Sequence, residues 1–252
     1  MGFDGLVLSE ERPHCEPRGR RLPIGDLRIP VALTGAQLES APVEGRVANG
    51  TVALHMSVTI GSASALTLKD IDVRGVELAP ILLDFLCLPS AVTGPMDLTG
   101  EVSMLATDPW RTASGLGRFR IGPGRATGRD IVRLVNDVIA LADVGSTVLS
   151  SERRARESAP LDFASITGTY RIIGGVVMTD DLLYQGADLR VTGKGTVTLL
   201  NGRVEMAIVV TQGRNQVRGL VSGTAEALRV LPTEIRVPDL RGARRFLDTL
   251  YR

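Results

Sequence analysis

Cysteine and histidine are nearly missing: two of each occur in 252 residues. No Cys/His zinc pattern can be assembled from them, and a Ser-His-Asp or Cys-His catalytic site has little to draw on. Lysine is scarcer still relative to its usual share. Only Lys69 and Lys194 are present, so almost all the positive charge is arginine. A surplus of one sign is also lacking: 29 basic against 28 acidic residues leave a formal charge of +1, which argues against a general nucleic-acid binder. Aromatic residues are only 4%, so any core is built from Val, Leu, Ile, Ala and Met. Long apolar runs are absent too. The uncharged stretch from Val47 to Leu68 contains Asn49, Gly50 and His55, and its apolar residues alternate, which signals strands rather than a membrane helix. The opening MGFDGLVLSEERPHCEPRGRR has an apolar segment too short for a signal peptide. The expectation is a chain with neither signal peptide nor transmembrane segment.

What is plentiful is aliphatic residues at period two, punctuated by 28 glycines and 13 prolines. Two Asn-Gly dipeptides read as two-residue hairpin turns. A turn centred on Asn49-Gly50 pairs Val47 with Val52, Gly45 with Leu54 and Val43 with Met56 on one face, leaving Glu44, Arg46, Ala53 and His55 on the other. A turn centred on Asn201-Gly202 pairs Leu199 with Val204, Val197 with Met206, Gly195 with Ile208 and Gly193 with Val210. Thr192, Lys194, Thr196, Thr198, Arg203 and Glu205 share the reverse face. Three segments depart from this period. Val76–Cys87 reads as a short helix. Arg129 to about Val144 carries a helical stripe from Ile131 to Ala142 and leads into a charged end near residue 158. Pro238–Arg252 reads as an amphipathic terminal helix with Leu240, Ala243, Leu247 and Leu250 on one side. The division is therefore an irregular lead-in over 1–24, a β-rich domain over 25–237 with helical interruptions near 76–87 and 129–158, and a helix over 238–252. The fold class is mainly β with a few helices (α+β): a large curved antiparallel sheet with an apolar concave face and short packing helices.

A search for chemistry finds little. His55 faces Glu44 in the predicted register and reads as an exposed cross-strand pair. His14 and Cys15 are neighbours on a loop. Cys87, inside Leu86-Cys87-Leu88, reads as a small buried hydrophobe, and nothing supports a Cys15–Cys87 disulfide. Gly122, Gly124 and Gly128 precede a helix but fail the phosphate-loop pattern in spacing and identity, so they read as a strand–turn–helix junction. Asp70/Asp72 and Asp180-Asp181 lack further ligands and read as turn or strand-end carboxylates. The expectation is a protein that is not an enzyme and needs no metal or cofactor. What remains is a sheet with one apolar face.

The stretch LDFASITGTYRIIGGVVMTDDLLYQGADLRVTGKGTVTLLNGRVEMAIVV, from Leu161 to Val210, resembles the C-terminal region of the AsmA-like family of bacterial envelope proteins. The residues that carry the likeness are Phe163, Gly168, Tyr170, Ile172, Gly175, Asp181-Leu182, Val191, Gly193, Gly195, Val197 and Leu199. Upstream, VTGPMDLTGEVSM and GLGRFRIGPGRATGRDIVRLV resemble the preceding part, so the likeness runs from about Leu33 to Leu231 and is strongest from Val92 to Val210. No single motif is specific; the order and spacing of the set carry it. The resemblance implies a part in outer-membrane biogenesis, a periplasmic or envelope location with inner-membrane association in typical members, and a β groove that binds phospholipid or other acyl chains. Envelope membrane proteins are the other implied partners, and no nucleic acid is. On this reading Val191, Gly193, Gly195, Val197, Leu199, Val204, Met206, Ile208 and Val210 line the groove. The competing expectation is an assembly scaffold whose sheet is closed by its own helices and which binds proteins instead of lipid.

Overall fold

The computed structural model describes residues 2–10, 20–61, 64–86, 91–127, 161–187, 189–212, 215–224 and 227–236. It contains one antiparallel sheet of seventeen strands. In chain order these are β1 (Gly2–Glu10), β2 (Arg20–Arg28), β3 (Val31–Thr34), β4 (Gln37–Ser40), β5 (Val43–Val47), β6 (Gly50–Thr59), β7 (Ala65–Glu77), β8 (Ala91–Thr93), β9 (Pro95–Leu105), β10 (Ser114–Ile121), β11 (Gly124–Thr127), β12 (Leu161–Ile173), β13 (Val176–Gly186), β14 (Arg190–Thr198), β15 (Arg203–Gln212), β16 (Asn215–Thr224) and β17 (Ala227–Arg236).

Four pairs of these strands follow one another in line. β2 and β3 together face β5 and β4, both of which pair with β6. β8 and β9 together face β11 and β10. Each junction is a bend of one or two residues, at Ile29-Pro30, Ala41-Pro42, Gly94 and Gly122-Pro123. Taken as bent strands, every run lies beside its neighbours in sequence, an up-and-down meander with β1 at one side and β17 at the other. Gly2–Glu10, expected within the irregular lead-in, is therefore strand. Its backbone pairs along the length of β2 and so occupies donors and acceptors that β2 would otherwise leave open.

The described residues hold two short helices. A π-helical turn, Pro80–Phe85, lies within the segment where a helix was expected, although Val76 and Glu77 belong to β7. The Leu86 N–H closes it by donating to the Ile81 carbonyl at 2.8 Å. The turn packs against β2 and β8, and Val76 and Leu78, which lead into it, are buried. The second helix, α1 (Pro109–Thr112), is a single turn in the β9–β10 connection, capped by Asp108, whose Oδ1 accepts from the Arg111 N–H. The expected helices at 129–158 and 238–252, and with them Cys15, Cys87, His14 and the Ile131–Ala142 stripe, lie outside the described residues.

Candidate functional site

The ladder registers separate two faces across almost the whole sheet. One level of pairing runs Met56, Leu68, Val102, Gly115, Ile172, Val177, Val197, Val204, Gly223, Leu228, one residue from each of ten strands and none of them polar. A second level runs Val76, Met96, Ile121, Ile166, Tyr184, Val191, Val210, Val217. The opposite parity is mostly polar: Arg171, Thr196, Glu205, Ser222 and Arg229 stand at one level of it with Met178 the apolar member, and Glu39, Ser57, Thr67, Ser103 and Ser114 stand at another. Period-two alternation is what produces this separation, because successive side chains on a strand point to opposite sides.

The sequence-predicted residues fall on this apolar face with one exception. Val191, Gly193, Gly195, Val197, Val204, Met206, Ile208 and Val210 share it. Leu199 does not sit in the ladder; it begins the β14–β15 turn, where its N–H donates to the Gly175 carbonyl at 2.9 Å. The pairing is also shifted by two residues from the expected one. Val197 faces Val204, Gly195 faces Met206, Gly193 faces Ile208 and Val191 faces Val210. The reason is the turn. It spans Leu199–Gly202 instead of two residues, with Gly202 at φ +64 and its N–H bonded back to the Thr198 carbonyl. A shift of two leaves the parity unchanged, so the face survives the slip.

The first hairpin slips in the same way. Val47 faces Gly50, Gly45 faces Val52 and Val43 faces Leu54, and Glu44 faces Ala53 in place of His55. His55 instead lies opposite Lys69, with its Nδ1 at 3.2 Å from Asp70 Oδ2. Asp72 takes two hydrogen bonds from Arg74, at 3.0 and 2.6 Å, and the bonded guanidinium holds its carboxyl below the usual range.

Sequence reasoning missed how the aromatic rings are seated. Three of them lie across a strand from a glycine: Phe119 opposite Gly168, Tyr170 opposite Gly117, and Phe163 opposite both Gly124 and Gly186. A side chain at Gly117 would run into the Tyr170 ring, and one at Gly168 would meet Phe119 at 3.2 Å. The rings thus lie down on bare backbone, an arrangement that pins register in twisted sheets. Phe163 and Tyr184 add a tilted ring pair at 5.6 Å. The same crowding surrounds two of the predicted residues. The space over Gly193 is taken by Met206 Sδ and Leu182, and Gly195 lies against the β15 backbone at Glu205 and Met206. Neither glycine leaves a free notch.

Asp180-Asp181, expected at a strand end, sits in mid-strand at a bulge between Thr179 and Leu182. β12 loses register against β13 between Thr167 and Arg171. Asp181 Oδ1 accepts there from the Thr169 N–H at 2.7 Å and its hydroxyl at 2.9 Å. Those bonds, the backbone one foremost, lower the Asp181 pKa below the ordinary carboxylate value. The contribution to stability is therefore present above the unfolded-state value and is lost as pH falls through the lower folded one. Burial raises the Tyr170 and Tyr184 phenols above their ordinary range.

Among the described residues no group of three or more His, Cys, Asp or Glu is placed to hold a metal ion. A hollow on the polar face is lined by Arg118, Arg171, Lys194, Asp180, Leu116 and Met178, among others. Compared with family models, with curated proteins and with solved structures, the chain finds no match in any of the three.

Proposed function

We propose that this chain is a non-enzymatic module of bacterial cell-envelope biogenesis that holds and guides phospholipid along the apolar face of its sheet. The observation that carries the reading is the unbroken level from Met56 to Leu228, in which most side chains are half-buried and no second layer of strands covers them among the described residues. A large apolar surface of this kind on a single sheet calls for an occupant. An acyl chain laid along it gains about 0.8 kcal/mol for each methylene removed from water. The resemblance of Leu161–Val210 to AsmA-like envelope proteins points to the same occupant and to the periplasm as its place of work. A groove requires this face to be concave. The burial of Val210 and Val217, 1% and 3% exposed, supports a curled sheet, since a flat single layer leaves such side chains open on one side. Among the described residues no helix is long and apolar enough to cross a membrane.

One observation favours the scaffold reading. Leu189, Ile208, Val210 and Val221 form a buried cluster with Tyr184, Val191, Val204, Met206, Leu228 and Val230 packed around it, as in a dry core. Val197→Glu and Met206→Glu separate the two. On an open face the carboxylate stays solvated: both variants keep their circular dichroism and lose lipid that native mass spectrometry finds on the parent. In a closed core each buries an unpaired charge and unfolds the domain by several kcal/mol. Unfolding of both, with no lipid recovered from the parent, overturns the groove.

A further inference from the structure

The meander gives the sheet two rims that differ in chemistry. The described connections at one rim are Gly35-Ala36, Ile60-Gly61 with Ser64, residues 106–113, Gly174-Gly175 and Leu199–Gly202. Those leaving the other rim include the stretches 11–19 and 128–160, which are rich in Arg, Asp and Glu, and 78–90, which is mostly apolar with Asp84 its one charged residue. The first rim is level. Ala65 faces Leu105, Ser103 faces Ser114, Val176 faces Thr198 and Arg203 faces Thr224, so the hairpin tips finish close to one line.

Exposed apolar side chains collect at these tips. Leu33, Ile60, Leu105, Trp110, Ile173 and Leu200 are each 36% to 65% exposed, and every described tip carries at least one or has one within two residues of it. Charge is nearly absent from the same tips. Among the described connecting residues only Asp108 and Arg111 are charged, and they pair with each other at 3.8 Å. Trp110, the sole tryptophan of the chain, stands on α1 at 59% exposure.

We propose that this rim docks on a lipid bilayer, with its tips inserted into the headgroup boundary. Single aliphatic residues, one or two per tip, are spread along a line on the order of 40 Å at about 4.8 Å per strand. A protein-binding patch instead gathers its apolar residues into a compact centre ringed by polar ones. The tips between them are Gly, Ser, Thr, Ala and Asn, which tolerate headgroups, and an exposed indole favours the membrane–water boundary, where its ring and its N–H are both satisfied. Without free cations on the tips, attachment is by apolar burial and not by attraction to anionic lipid. The inference does not depend on what the apolar face holds.

The full chain is tested against phosphatidylcholine vesicles. Flotation with the vesicles, a blue shift of Trp110 emission, its quenching by brominated phosphatidylcholine and indifference to salt are the expected results. Ile173→Ser and Leu200→Ser each lower the partition coefficient roughly tenfold. Leu220→Ser removes an equally exposed leucine in mid-strand on the polar face and leaves it unchanged. Circular dichroism confirms that all three variants fold. No flotation and no shift overturn the proposal. So does equal weakening by Leu220→Ser, or a Trp110 shift that grows with protein concentration without vesicles, which assigns the rim to a second copy of the chain. Lipid found on the purified chain without vesicle flotation sinks the rim and leaves the groove; flotation of a lipid-free chain does the reverse.

Discussion

At Ala48-Asn49-Gly50 the β5–β6 turn is made by Ala48 and Asn49, at φ +44 and +67, and Gly50 is already in the ladder opposite Val47. At Leu199–Gly202 the glycine itself is the left-handed residue, at φ +64, and Asn201 Oδ1 accepts from the Arg203 N–H at 3.1 Å. The same dipeptide thus performs two different tasks. Gly50 has no need of positive φ; it is buried where β7 passes, and a Cβ there would stand 2.5 Å from the Val76 nitrogen and 2.6 Å from the Arg74 carbonyl oxygen. The neighbouring strand takes away the space of a side chain, and the turn moves one residue back to let it. The Ala48 carbonyl then accepts from the Glu77 N–H at 2.9 Å, which fastens the displaced turn to β7. At Gly202 the demand is on the dihedral angle, φ +64.

The largest effect expected from this contrast is at Gly50. Gly50→Ala drives a methyl group into backbone that cannot move without parting β6 from β7, and it lowers unfolding free energy by about 3 kcal/mol. Urea denaturation measures it, and a loss below about 1 kcal/mol means that the close approach is not needed. Gly202→Val comes next, at about 2 kcal/mol, because a β-branched residue resists φ near +60. Here Gly202→Asn recovers most of the loss, since Asn tolerates the left-handed region, whereas Gly50→Asn recovers nothing. That pair of rescue results, one positive and one negative, is the sharpest check on the two roles. The smallest effect is a gain. Ala48→Asn puts a residue suited to positive φ at the first position of the displaced turn and raises stability by about 0.5 kcal/mol. A fall in stability on that change would place the strain elsewhere in the turn.

These hairpins also define how much the sequence could convey. Period-two alternation names the face, and a slip of two residues cannot change it, so Val191, Val197, Val204, Met206, Ile208 and Val210 were legible as one surface. The register was not legible, because an Asn-Gly signal does not say which backbone will pass beside it. The seats of Phe119 on Gly168 and Tyr170 on Gly117 were out of reach for a similar reason. Each ring and its glycine are separated by a whole insertion, and only the finished ladder brings them together. The bulge at Asp180-Asp181 looked like a strand end because two adjacent carboxylates are poor ladder residues. β13 continues through them because Asp181 supplies the acceptor that the Thr169 N–H lacks. The rim of exposed tips was hidden by its own spacing: no window of sequence holds Leu33, Ile60, Trp110, Ile173 and Leu200 at once.

The meander has a further consequence for how such a chain assembles and varies. Each bent strand touches little beyond the strands before and after it in the meander, so the stabilising contacts join neighbouring runs, even where, as between Gly115 and Ile172, a long stretch of chain separates them. Proteins built this way gain stability unit by unit, much as solenoids do. Folding can begin at any well-formed hairpin and spread outward. Amide exchange should accordingly be slowest around β12–β15 and quicken toward β1 and β17, a gradient in place of a single cooperative value. The same locality means that adding or deleting one whole hairpin, two strands together, keeps every remaining side chain on its original face. Length can therefore change in such steps at little cost to the rest of the surface.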